Sequence, residues 1–190
     1  MTFLYRKTPW LILTWVLVAG LVYSLSHNTI STQKDEYEIS APLYHWMNKL
    51  GIEPTDSPRK VGNIIFYDQQ NLPHSLKEFS YKNRLILIWA TWCDPCRDEM
   101  PYLDSIYSEM TQQGVWLFPV SVDQAGTRKI KFFYESVGIN HLPIYNDTGI
   151  ELLEALNIGP IPTIIAINQH GYEVGRRVGI LSLPNTIISQ

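Results

Sequence analysis

The run "RLILIWA", Arg84 to Ala90, limits what this chain can become more than any other stretch. Beyond its arginine every residue is apolar, so there is no alternation between a wet face and a dry one. A strand of that kind is buried on both faces, and its sheet must be covered on both sides. "VWLFPVSVD", Val115 to Asp123, has the same character. Between the two, a helix is expected to start at Asp94–Pro95, because proline suits a first helical turn. It should bend at Pro101 and end before Gly114. "GNIIFYD" (Gly62–Asp68) reads as a strand and "HSLKEF" (His74–Phe79) as one helical turn. "GTRKIKFFYESVG" (Gly126–Gly138) reads as an amphipathic helix, and "ELLEALNIG" (Glu151–Gly159) as a shorter one. "TIIAIN" and "YEVGRRVG" form a hairpin turned at "QHG". Strands alternating with helices, then an antiparallel hairpin, predict an α/β fold: a mixed central sheet with helices on both faces.

The buried run leads directly into "WATWCDPCRDEMPYL", Trp89 to Leu103, which holds both cysteines of the chain. A structural disulfide is one reading, but so short a loop removes little chain entropy. A metal site is another, but two further ligands of suitable type are missing nearby, and neither metal nor cofactor is expected. A redox pair is the third. Exchange requires a thiolate, and a cysteine just ahead of a helix gains one from the helix dipole and the free amide groups. Cys93 has that position, while Cys96 lies about one turn inside and less exposed. Cys93 is therefore expected to exchange with a partner and Cys96 to resolve the mixed disulfide. A copper chaperone using the same thiols as soft ligands stays open as an alternative, although no methionine or histidine cluster accompanies them. His74, His141 and His170 have no ligand spacing and are expected in solvated loops. A net charge of -3 leaves no basic footprint, so no nucleic-acid partner is expected.

The N-terminus carries a different signal. "WLILTWVLVAGLVYSL", Trp10 to Leu25, has no charged residue, and Arg6 and Lys7 precede it. With its flanks it reaches the lower end of a membrane-crossing helix. The positive-inside bias leaves residues 1–8 cytoplasmic, makes 9–26 a transmembrane anchor, and exports the rest. A cleaved signal peptide is the rival reading, and both place the cysteines where disulfides persist. Residues 27–60 read as a polar linker with Pro42, Pro54 and Pro58. Within it Leu43, Trp46, Met47 and Leu50 recur at helical spacing before Gly51, a short amphipathic helix with a glycine cap. The domain proper is expected over 61–190.

The Trp-Cys-x-Pro-Cys motif after a buried strand, with "NIGPIPTIIAINQHGYEVGRRVG" downstream, resembles the thioredoxin-fold proteins of the TlpA/ResA type. The resemblance covers roughly Val61 to Gly179. It implies a membrane-tethered thiol–disulfide oxidoreductase that needs no cofactor. Its partners would be disulfides of exported proteins, such as apocytochrome c or metal-site assembly factors, and a membrane thiol electron donor of DsbD/CcdA type. This sequence departs from the family pattern at its end: it stops at Gln190, so the C-terminal helix usual in the fold is expected to be short or absent.

The resemblance further assigns residues. Pro162 matches the family's cis-proline, placing the Ile161 backbone opposite Cys93, with Thr163 following; a substrate strand would pair there. Trp92 is expected as an exposed contact surface and Trp89 as core. Pro95 is the residue that reducing thioredoxins use, where strong oxidants carry histidine. Asp94, between the cysteines, disfavours the thiolate by repulsion, or else serves as the helix N-cap. Pro95 and a repelling Asp94 favour a reductase over a folding oxidase or isomerase, while Asp94 as an N-cap is compatible with either. Ordinary thioredoxins keep a buried acid six positions before the first cysteine, which here is Leu87. The TlpA/ResA type places a glutamate six positions after it, which here is Glu99. Glu99 is thus expected to exchange protons at the site, against the plainer reading of a surface carboxylate like Asp98.

Overall fold

The structure, a computed structural model, describes residues 14–24, 35–149 and 151–181. Residues 14–24 are helical. Among the described residues no helix is long and apolar enough to cross a membrane. The remainder of the expected 9–26 anchor lies outside the described residues, as does the C-terminal stretch 182–190.

The folded unit begins at Ile39. Helix α1 (Ala41–Leu50) starts at Ser40, whose hydroxyl accepts a 3.4 Å hydrogen bond from the Leu43 amide, with a proline in the first turn. It ends at Gly51, whose φ of 67° is left-handed. Leu43, Trp46, Met47 and Leu50 are fully buried. Strand β1 (Glu53–Lys60) follows and pairs antiparallel with β8 (Tyr172–Val178). This corrects the linker expected over 27–60: residues 39–60 are part of the fold. The strand escapes notice because "EPTDSPRK" lies at a sheet edge, half-buried at best, so it carries no hydrophobic alternation. Its two prolines are what an edge tolerates and an aggregation-prone edge needs. The pairing also slips between Pro54 and Arg59.

The remaining elements are β2 (Ile65–Asp68), β3 (Pro73–Ser75), a 3₁₀ turn (Leu76–Phe79), β4 (Asn83–Trp89), α2 (Asp94–Gln112), β5 (Val115–Ser121), α3 (Thr127–Val137), β6 (Tyr145–Asn146), α4 (Glu151–Ala155) and β7 (Thr163–Ile167). Among the described residues the strands form one sheet of eight, ordered β1-β8-β7-β4-β5-β6-β2-β3. β4, β5 and β6 run parallel; the other pairs are antiparallel. The mixed sheet expected from the strand–helix alternation is therefore present.

β4 lies at the centre. Leu85, Leu87 and Trp89 point into one core with α1, α2 and α3. Ile86 and Ile88 point into the other, with Phe118, Val120, Leu152 and Leu156. A strand that is apolar at every position is thus explained by its having no solvated face. It also fixes where the site sits, since the two cysteines follow the end of a strand buried on both faces.

Candidate active site

β4 ends at Trp89, and the chain turns through Ala90, Thr91 and Trp92. The Cys93 amide donates back to the Ala90 carbonyl at 3.2 Å. Cys93 keeps extended backbone angles and is itself the N-cap of α2; its Sγ lies 3.3 Å from the Cys96 amide. The sulfur therefore sits against a free helix-terminal N–H, which favours negative charge on it. Cys93 and Cys96 form a disulfide. Cys93 is 7% exposed and Cys96 not at all, so only one sulfur can be reached.

Asp94 is not the cap. It occupies the first turn, exposed, and meets Arg97 at 3.3 Å. Its repulsion of a Cys93 thiolate is accordingly blunted by a neighbouring cation as well as by water. Pro95 stands in the first turn, where its missing N–H costs nothing.

Facing the disulfide, Ile161–Pro162 is cis, and the Ile161 carbonyl oxygen lies 3.9 Å from Cys93 Sγ. The Pro162 carbonyl accepts from the Gly179 amide at 2.8 Å, which ties this turn to the end of β8. Ile161 is half-buried and Pro162 buried. Thr163 is 1% exposed and its hydroxyl donates to the Pro160 carbonyl at 2.7 Å, so its side chain holds the turn and is closed to a substrate. That corrects its assignment as a contact residue. Trp92 is 61% exposed, while Trp89 is core. Val178, paired with Thr163 in the adjacent strand, and Ile180 are exposed as well. Apolar surface thus rims the turn.

Glu99 lies on α2 one turn beyond Cys96, which puts the two on one face. It is 1% exposed, against the surface reading. Its Oε1 accepts from the Leu181 amide at 2.5 Å, and its buried Oε2 has no partner among the described residues. Burial pushes its pKa up to about 7, opposed by the Leu181 N–H and the Arg177 charge. A carboxyl with that pKa and one vacant oxygen can take or give a proton near neutrality. Leu87 packs fully buried in the core, as an apolar residue should.

Sequence reasoning missed Asp123. It is 1% exposed and accepts from the Thr91 amide at 2.7 Å, the Thr91 hydroxyl at 2.7 Å and the Ser121 hydroxyl at 2.7 Å, with Lys129 at 3.4 Å. Burial alone would raise its pKa; the Thr91 and Ser121 donors and the lysine hold it below the usual range. It clamps the turn that presents Trp92 and Cys93. The available signal was a lone acid at the end of an otherwise apolar run. Of the histidines, His141 and His170 are exposed in loops as expected, whereas His74 is half-buried in β3. His74 meets Asp68 at 3.0 Å and Glu78 at 3.5 Å, and His141 meets Asp104 at 3.0 Å. Among the described residues no group of three or more acids, histidines or cysteines is placed to hold a metal ion.

Comparison with known proteins adds to this geometry. The Redoxin family model matches residues 58–185. Thiol-disulfide oxidoreductase ResA of Halalkalibacterium halodurans is 32% identical over 109 residues, 57% of this chain and 61% of that protein. ResA of Bacillus subtilis is 31% identical over 119 residues, 63% of each. The chain therefore spans about three fifths of these curated relatives. Among solved structures, a thioredoxin-family thiol:disulfide interchange protein from Chlorobium tepidum superposes with a TM-score of 0.56 at 24% identity, covering 66% of this chain and 89% of that one. StoA from Bacillus subtilis gives 0.54 at 21%, covering 63% and 90%. At those identities the likeness speaks for the fold alone, which is the thioredoxin fold.

Proposed function

The chain belongs to the Redoxin family, and from that premise we propose that it is a membrane-tethered thiol–disulfide oxidoreductase that reduces disulfides of exported proteins. One observation carries the reading: a cysteine pair at a helix N-terminus with one sulfur reachable, one sealed, and the Ile161 carbonyl beside the reachable one. The similarity to ResA proteins supports the same chemistry.

In the reducing direction the Cys93 thiolate attacks a substrate disulfide, and one substrate cysteine leaves as thiolate and takes a proton. Cys96, deprotonated, then attacks Cys93 Sγ. The second substrate cysteine leaves, also to be protonated, and the pair is oxidised by the two electrons the substrate has gained. Glu99 is the group placed to receive the Cys96 proton. The substrate backbone aligns on Ile161, and its flanking side chains meet Trp92. The pair is re-reduced by a membrane thiol donor of DsbD/CcdA type. Substrates such as apocytochrome c or metal-site assembly factors fit this chemistry, and the domain works on the outer side of the cytoplasmic membrane, held by 9–26.

Equilibration of the full-length chain with thiol buffers tests direction. A potential near that of thioredoxin, about -270 mV, is expected, and one near that of DsbA, about -120 mV, would make the protein an oxidase. Anchoring is a separate matter. The full-length chain should stay with membranes through an alkaline carbonate wash; release of a shortened form into the exported fraction would end that part of the proposal.

A further inference from the structure

We propose that a pocket at the opposite end of β4, walled by Lys60, Lys77, Arg84 and His170, binds a small oxyanion. The pocket measures about 290 Å³ and is closed on its apolar side by Val61 and Leu76. Arg84 is 2% exposed. Its Nη1 donates to the Leu76 carbonyl at 3.2 Å and its Nη2 to the Asn168 carbonyl at 2.9 Å, while its buried Nε has no partner among the described residues. Neutral carbonyls do not cancel its charge, and a buried cation ordinarily comes with a carboxylate. Among the described residues none of the ion pairs includes Arg84, Lys60 or Lys77.

Lys60 is held in place beside Arg84. The Lys60 ammonium donates to the His170 carbonyl at 2.7 Å and lies 4.3 Å from the centre of the Tyr172 ring. Gly171, with a left-handed φ of 84°, separates it from Arg84: a Cβ there would lie 3.8 Å from Lys60 Cε and 3.9 Å from Arg84 Nη2. The space between the two charges is thus kept free of side chain. Cations gathered around one pocket, with no anion paired to them among the described residues and with Val61 and Leu76 as apolar neighbours, make a receptor for one carboxylate or phosphate group. From Arg84 to Trp89 the strand runs five residues, about 17 Å at ~3.3 Å each, so this site is remote from the disulfide and independent of its chemistry.

The test is calorimetric titration of the full-length chain in zwitterionic detergent with inorganic phosphate, acetate and chloride at matched ionic strength. Phosphate or acetate should bind saturably at one site and chloride should not. The tighter of the two tells a phosphate-bearing from a carboxylate-bearing ligand. The Lys60→Gln/Lys77→Gln double variant should lose about tenfold or more in affinity. Lys131→Gln on α3 should lose nothing, and thiol titration should be unchanged in both. Equal heats for all three salts, or undiminished binding by the double variant, would overturn the proposal.

Discussion

Glu99 shows how one buried carboxyl can join chemistry to stability. Its folded pKa is about 7, against 4.5 in the ordinary case. The sign follows from proton binding: between those two values the folded state holds more protons than the unfolded one, so stability falls as pH rises. The contribution is fully present below about pH 4.5 and lost through pH 7, on the order of 3 kcal/mol for a shift of this size. Glu99→Gln should flatten that part of the pH–stability curve, lower the apparent thiol pKa and slow turnover of protein disulfides. Asp98→Asn, at an exposed position, should do little, since its charge is the last of the influences on Glu99. Urea midpoints from pH 4 to 8, with thiol alkylation rates, are the measurement; identical behaviour of the two variants would make Glu99 a bystander. At this scale the cysteines were legible because a helix N-terminus acts locally, and Glu99 through the family resemblance, with helical spacing placing it on the face of Cys96. Asp123, Arg177 and Leu181 were not, because their contacts join segments far apart in sequence.

At the scale of elements, legibility tracked burial. β4 and β5 announce themselves because neither face is wet, and α1 because its apolar stripe is complete. β1, β3 and β6 are short or peripheral, and hydrogen bonding to neighbours, not side-chain pattern, makes them strands. The junction of β1, β8 and α1 has an unusual point of contact at Gly175 in β8. A Cβ there would lie 2.6 Å from the Glu53 carbonyl oxygen and 2.5 Å from Met47 Cε. The methionine can move; the backbone of β1 cannot without breaking its pairing with β8. Gly175→Ala should therefore destabilise by about 1–3 kcal/mol. Urea denaturation should show a lowered midpoint with the slope unchanged. A midpoint equal to that of the parent chain would mean that β1 yields freely and contributes little.

For the whole molecule the question is where the folded unit starts. The motif-bearing stretch and the family match begin near residue 58, and a linker up to residue 60 was the natural reading. The packing says otherwise. Leu43, Trp46, Met47 and Leu50 are each fully buried, and they share one core with Leu85, Leu87 and Trp89 of β4. Trp46 also donates to the Gln113 side chain at 3.0 Å beyond the end of α2. At about 1.5–3 kcal/mol per buried side chain, these four contribute roughly 6–12 kcal/mol, an upper figure because unfolded chains are not fully extended. That is comparable with the whole net stability of a typical domain, about 5–15 kcal/mol. A chain beginning at Ile39 should therefore unfold cooperatively in urea and keep its thiol chemistry. A chain beginning at Val61, although it retains both cysteines, Glu99 and the cis-proline turn, should lack a cooperative transition. It should also expose the core-facing side of β4 and α2 to apolar dyes. Should the shorter chain unfold with the same midpoint as the longer one, α1 and β1 would be accessories resting on a core that stands without them.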